Sequence, residues 1–360
     1  GMLPFTFGRL YRTSAVERSC GMGAGWSHAL AHRLERHGDS LTWWDQESLA
    51  IELPMPSATR PMITNQLSEA AVYLGDEPDE VIVAKAGSPF LHFTWHGKTG
   101  RLTAMSDLYG NRLTIRSDEQ GRPCWIENEG GLALRIVYQK AYLAAVELQH
   151  FDGINWQPEA TLQRYYYDDA GHLVVAENGA GECERYRYRP DGVILERRLA
   201  GGAGFFWEWE REGKLARAVR HWSDVARFDV SYTWDDDKGE VTVSNADGSQ
   251  EVYQHDSNAR LIRQQDPDGA VSEFVYNDKG QKVLARDALG GETRYHYDEA
   301  GLLEREIAPD GSQTAYHYWD GRVRKVVQGD REWRFERNEH NASTIDLKHS
   351  NTKRTSKVDQ

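Results

Sequence analysis

The sequence predicts an all-β fold: an array of β-hairpin repeats of about 21 residues forming a curved, spiralling sheet, behind a strand-rich N-terminal region. Three observations predict it. An aromatic step recurs at near-constant spacing, a turn of Asp or Asn with Gly follows each step, and residues 160–335 show no 3.6-residue period.

The step is aromatic-x-aromatic. Its second member falls at Tyr167, Tyr188, Trp209, Trp234, His255, Tyr276, Tyr297 and Tyr318. Successive intervals are 21, 21, 25, 21, 21, 21 and 21 residues, too regular for chance. His255 is the exception in type, and Tyr253 two residues earlier keeps the step. The segment from Glu292 to Tyr297 alternates, with Thr293, Tyr295 and Tyr297 on one face and Glu292, Arg294 and His296 on the other, as a strand requires.

The turns follow in order. Tyr167 leads into Asp168-Asp169-Ala170-Gly171, Tyr276 into Asn277-Asp278-Lys279-Gly280, and Tyr297 into Asp298-Glu299-Ala300-Gly301. A second turn comes about ten residues later: Asp266-Pro267-Asp268-Gly269, Asp287-Ala288-Leu289-Gly290 and Ala308-Pro309-Asp310-Gly311. Gly248, Gly269, Gly290 and Gly311 are each 21 apart. Asp and Asn accept hydrogen bonds from the backbone ahead of them, and Gly supplies positive φ. Each period therefore holds two turns and two short strands. One hairpin alone is marginal in water, whereas stacked hairpins share a row of aromatics and lean on their neighbours. The outermost strands leave open edges, so self-association through them is expected.

The repeats are expected over residues 91–337, after an N-terminal region at 1–90. Upstream they degrade. Trp95 to Gly100 and Asp107 to Gly110 fit, Arg116 to Gly121 and Tyr138 fit less well, and Ala141 to Glu159 reads as an irregular insertion. The pattern fades after Gly329, with a strand remnant at Trp333 to Phe335. Residues 338–360 are rich in Ser, Thr, Asn and Lys and are expected to be a disordered tail. Gly1 before Met2 reads as a residue left by tag cleavage.

A net charge of −13 excludes nucleic acid and anionic membrane as main partners, because both demand basic surface. Mean hydropathy is −0.71, which excludes a thick core, while 12 Trp and 17 Tyr argue against disorder. No apolar run reaches 18 residues, so no membrane-spanning helix is expected, and no signal peptide is seen. Cys20, Cys124 and Cys183 are odd in number and far apart, so reduced thiols are expected.

Chemistry finds little footing. Asp268, Asp287, Asp298 and Asp310 recur in every unit, which turn capping explains better than a carboxylate pair converging in one pocket. His92 and His96, His28 and His32, and His296 and His317 are pairs without a visible third ligand, so no metal and no cofactor is expected. No nucleophile elbow, phosphate loop or dinucleotide fingerprint appears. Gly201-Gly202-Ala203-Gly204 precedes a strand rather than a helix and reads as a widened turn. Exposed aromatic rows leave carbohydrate as a possible partner.

The consensus Y-x-Y-D-x-x-G-x-L with a following D-P-x-G resembles the YD repeat of Rhs proteins. Tyr295-His296-Tyr297-Asp298-Glu299-Ala300-Gly301-Leu302-Leu303 with Ala308-Pro309-Asp310-Gly311 is one instance, and Tyr165-Tyr166-Tyr167-Asp168-Asp169-Ala170-Gly171-His172-Leu173 is another. The resemblance covers roughly residues 90–330. Arg9-Leu10-Tyr11-Arg12, Gly23-Ala24-Gly25-Trp26 and Leu34 to Asp39 also resemble the segment that precedes such repeats. In that family the repeats wind into a hollow shell around a C-terminal toxin, often delivered by type VI secretion, and insecticidal toxin complexes use a similar cocoon. Two departures stand out. Asp266-Pro267-Asp268-Gly269 is followed by Ala270 and lies mid-array, unlike the family's closing motif, and no toxin domain is present. The resemblance thus implies a partial shell, made in the bacterial cytoplasm before export, with a toxin domain or secretion-system proteins as partners. The expected role is non-catalytic and structural, with no catalytic residues. An extracellular carbohydrate-binding module is the alternative, and a hydrolase using turn carboxylates a third class.

Overall fold

The computed structural model describes residues 3–65, 70–85, 87–225, 227–299, 301–319, 322–337 and 343–349. The regular secondary structure of the described residues is almost all antiparallel strand, with two short 3-10 turns at Thr13–Ala15 and Gly213–Leu215. It divides into two compact units, residues 1–61 with 71–232, and residues 62–70 with 233–360. Among the described residues no helix is long and apolar enough to cross a membrane.

In the first unit, strands follow one another as hydrogen-bonded neighbours from Glu80–Lys85 and Phe90–His96 through to Arg217–Ser223. The order forks at Thr99–Ser106. One edge of this strand pairs throughout with Phe90–His96. Its other edge is shared, Thr99 and Gly100 meeting Glu35 and Leu34, while Ala104 to Ser106 meet Thr114 to Arg112. Gly100 permits the fork, since a Cβ there would lie 2.8 Å from the Leu34 Cβ. Leu34, Leu41, Trp43, Leu53, Val72, Val81, Val83 and Phe93 are fully buried on the early strands, and Leu143, Leu173 and Val193 carry the core of this unit on into the later ones.

The segment Ala141 to Glu159 is not irregular. Tyr142–Phe151 and Trp156–Tyr167 form a long hairpin, closed by a tight turn in which Asp152 Oδ1 accepts from the Ile154 and Asn155 amides at 2.8 Å each. Two register shifts absorb the extra residues, so the added length extends a hairpin already in place.

In the second unit the same ladder runs from Glu240–Ser244 to Arg331–Arg337. From Thr233 onward, Val241 and Leu302 are the only buried hydrophobic side chains among the described residues, the rest being half-buried or exposed. This is the thin architecture that the hydropathy implies. Ser343–His349 is a strand paired in register with Arg331–Arg337. The remaining tail residues lie outside the described ones.

Many of the repeat turns follow one grammar. The first residue's carbonyl accepts the amide of the glycine three later, and its own amide donates to the carbonyl four later, as Asp287 does with Gly290 and Gly291 at 3.0 and 2.9 Å. Gly248, Gly269, Gly280, Gly290, Gly301 and Gly311 all sit at φ between +78° and +87°. A type I turn ended by a left-handed residue is what a three-residue hairpin loop needs. Nothing lies within 4 Å of a Cβ built on Gly290, so its cost there is conformational alone. Gly290→Ala is therefore expected to destabilise the second unit by about 1–2 kcal/mol, and Gly290→Asn by less, since Asn tolerates this region. Urea midpoints check this, and equal midpoints for all three chains would contradict it.

Candidate functional surface: aromatic rungs and a docked N-terminal strap

The recurrent aromatic is a hydrogen-bond donor to the preceding unit. Tyr188 Oη donates to the Leu173 carbonyl at 2.6 Å, Trp209 Nε1 to Ile194 at 2.5 Å, Tyr276 to Leu261 at 3.0 Å, Tyr297 to Lys282 at 2.8 Å and Tyr318 to Leu303 at 2.8 Å. Tyr138 does the same to Pro123 at 3.0 Å. In all six the acceptor lies 15 residues back. Tyr167 reaches 24 residues back, to Leu143 at 2.7 Å, because the long hairpin intervenes. The accepting carbonyls share one position. Leu173 lies two residues beyond the last registered pair of its ladder, Val175 with Arg185, and Leu261, Lys282 and Leu303 lie likewise beyond Arg263, Leu284 and Arg305. Each rung thus serves a carbonyl where the backbone ladder ends. Each anchor also marks a register shift, as between Arg187 and Tyr188 or His296 and Tyr297. Trp234 holds the same step in Asp229–Asp235.

The turn residues are placed with equal regularity. Asp168 Oδ1 accepts the His172 amide at 2.8 Å, and Gly171 beside it has φ of +85°. Asp268, Asp287, Asp298 and Asp310 each accept at least one amide of their own turn. These acids are spread along the sheet and do not converge. His296 and His317 are exposed, and among the described residues no group of three or more His, Cys, Asp or Glu side chains is placed to hold a metal. His28 is buried and His32 half-buried, and desolvation pushes them down to about 4 and about 3. His28 Nδ1 accepts the Leu30 amide, so Nε2 carries the proton donated to the Cys20 carbonyl. The three thiols are free.

Sequence reasoning missed what the N-terminal motifs do. Arg9–Tyr11 pairs with Trp26–His28, and this small strap docks on the rungs of the first unit. Tyr11 Oη donates to the Gly192 carbonyl at 2.8 Å and accepts the Ile194 amide at 3.0 Å. Trp26 Nε1 donates to Tyr188 Oη at 2.7 Å, so strap, rung and the Leu173 carbonyl form one chain of hydrogen bonds. Arg9 reaches Tyr186 Oη at 2.8 Å and Glu184 at 3.0 Å. Burial pushes the Glu184 carboxyl up, but hydrogen bonds from Arg197 and Tyr186 and the charges of Arg197 and Arg9 outweigh it and hold it below the ordinary range. The Gly23 Cβ position lies 2.6 Å from the Gly171 carbonyl and φ there is +85°, so only glycine fits. A signal was available: in Gly23-Ala24-Gly25-Trp26 a Trp closes a glycine-rich turn, where exposing it is costly and implies a partner surface. Between strap and sheet lies a cleft of about 540 Å³, lined by Arg9, Tyr11, Trp26, Tyr186, Trp207 and Trp209, with Glu184 and Arg197 at its wall.

Two family models match the chain. Residues 1–53 match a domain of unknown function (DUF6531), and residues 276–313 match the RHS Repeat. No curated protein matches. Among solved structures, the chain is similar to the TcdB2-TccC3 crystal structure at 12% identity over 87% of this chain and 22% of that one, with a TM-score of 0.33. It is similar to the Photorhabdus luminescens Tc holotoxin pore at 11% identity over 90% and 22%, with a TM-score of 0.31. A porin-like protein from Bacteroides uniformis matches at 7% identity over 69% and 92%, with a TM-score of 0.25. The chain spans less than a quarter of the length of the first two.

Proposed function

This chain is an Rhs-type YD-repeat protein, and on that premise we propose that it is a structural wall segment of a β-shell that encloses a toxin and is delivered by a secretion system. The rung carries this reading. An anchor that bonds the carbonyl 15 residues back joins any unit to its predecessor, so the wall extends by repetition and needs no chemistry of its own. The partners are then a toxin domain, secretion-system proteins and further copies of strand edges.

Expression of the chain together with the reading frame that follows it tests enclosure. The appended segment should survive protease that degrades the same segment alone; digestion of both at one rate would reject enclosure by this wall.

A second reading, carbohydrate binding, is favoured by one observation. The cleft beneath the strap offers Trp26, Trp207 and Trp209 as flat apolar faces beside Arg9, Arg197 and Glu184, the mixture that sugar rings and hydroxyls use. A glycan array should then give hits that Trp207→Ala abolishes, and a blank array would remove this reading.

A further inference from the structure

His92, one of the histidines that sequence reasoning weighed as a metal ligand, sits between a carboxylate and a hydroxyl. Its Nδ1 lies 2.8 Å from Glu80 Oε1, and its Nε2 lies 2.8 Å from Ser106 Oγ. The three residues come from consecutive strands, Glu80–Lys85, Phe90–His96 and Thr99–Ser106. Register fixes the line they form. His92 stands opposite Ile82 and Ala104, Glu80 opposite Thr94, and Ser106 opposite Phe90, so they run diagonally across one face of the sheet. Since the carboxylate can only accept, Nδ1 carries the proton, and Nε2 is left to accept from the serine hydroxyl.

We infer that Glu80, His92 and Ser106 form a Ser–His–Glu hydrolytic site that acts on carboxylic esters with an apolar acyl group.

Five features besides the two distances support it. The carboxylate is held as well as placed: Glu80 Oε2 accepts the Asp76 amide at 3.1 Å, and Gly75 leaves it room, since a Cβ there would lie 2.2 Å from that oxygen. The histidine is enclosed, with side-chain exposures of 10% for His92 and 13% for Glu80. A register shift between Leu102 and Ala104 falls just before the serine, the kind of irregularity that re-aims a side chain beside a site. Ser106 itself is half-buried and ends its strand at a turn that exposes Leu108 and Tyr109, the latter at 79%, an apolar platform for an acyl chain. Arg112 pairs with Ser106 across the ladder and acts electrostatically on His92, so it is the cation assigned to a developing oxyanion.

The chemistry balances with water as the second substrate. Ser106 Oγ forms a bond to the acyl carbon while its proton passes to His92 Nε2. The carbon–oxygen bond to the alcohol breaks, and His92 returns the proton to that alcohol. Water then attacks the acyl-serine, giving its proton to His92, and the acid leaves as Ser106 regains its hydrogen. Glu80 acts through His92, as a positioning residue. Burial pushes His92 down, the hydrogen bond to Glu80 opposes this, and Arg112 lowers it further while Asp76 raises it, so the imidazole stays neutral and able to accept.

The full chain treated with a fluorophosphonate reports the site directly, because such probes label only activated serines. One adduct mapping to Ser106 is expected, together with hydrolysis of p-nitrophenyl acetate that Ser106→Ala abolishes. His92→Gln should slow labelling about 100-fold or more while circular dichroism keeps its β signature. Glu80→Gln should lower the rate and shift its pH inflection downward, since a carboxylate lost from Nδ1 no longer supports the imidazolium. This shift is one that a merely structural role would not move. A folded wild-type chain that takes no label, labels elsewhere, or labels as fast in His92→Gln overturns the inference. The wall role rests on the aromatic rungs from Tyr138 to Tyr318, none of which belongs to this site, so either reading can fail while the other stands.

Discussion

Tyr188→Ala is expected to cost the first unit about 3 kcal/mol, the low end of the range for truncating a core aromatic because the ring is half-buried, and to release the N-terminal strap. Tyr188 holds three partners at once. It donates to the Leu173 carbonyl, accepts from Trp26 Nε1 and stacks on the His172 ring at 5.1 Å. Truncation leaves a cavity and two buried backbone or indole groups without partners, and the unmade bonds cost more than the made ones gained. Tyr188→Phe separates these terms. It keeps the ring and removes only the hydroxyl, so about 1–3 kcal/mol is expected, with the strap loosened rather than lost. Because the chain has two compact units, the transition to follow is that of the first alone. Urea unfolding read by tryptophan fluorescence gives the cost, and limited proteolysis between Arg12 and Trp26 reports the strap. Tyr188→Ala within 1 kcal/mol of the parent, with cleavage unchanged, would show that the rungs fill space without joining units.

That experiment turns on a residue found by counting alone, which shows what the sequence could yield. The spacing of Tyr188, Tyr276, Tyr297 and Tyr318 exposed the period and the strands because in-register repetition is a one-dimensional property. The function of the hydroxyl was not legible, since its acceptor 15 residues back becomes a neighbour only once the hairpins pair. The turns were legible for the opposite reason, as Asp287 bonds to amides two and four residues ahead. Non-local encounters stayed hidden. Nothing between Arg9 and Glu184 in sequence announces their ion pair, and Glu80, His92 and Ser106 are spaced too widely to read as a motif until three strands are laid side by side. The long hairpin from Tyr142 to Tyr167 was obscured by its length, because a strand that breaks the period resembles a loop when period is the only guide.

The rungs also set a limit at high pH. Burial raises Tyr186 to about 12, with Arg9 pulling the other way. Burial likewise lifts Tyr11, Tyr138, Tyr167 and Tyr188 beyond the ordinary phenol range, because each would have to ionise inside the strap and rung contacts. The sign follows from proton binding. The folded chain holds these protons more tightly than the unfolded chain, whose tyrosines ionise near pH 10, so the stabilisation is whole below about pH 10 and is lost as pH rises through the folded values. For the buried Tyr186, the step from 10.0 to about 12 corresponds to about 3 kcal/mol. The other four act in the same direction, which makes the alkaline loss comparable with the total stability of an ordinary domain. Urea midpoints of the first unit should fall steeply between pH 10 and 12, while tyrosinate absorbance at 295 nm rises in one cooperative step together with unfolding. If all 17 tyrosines titrated smoothly near pH 10 with the β signature intact, the hydroxyls would lie in water, and the rungs would not be the bonds that hold one hairpin to the next.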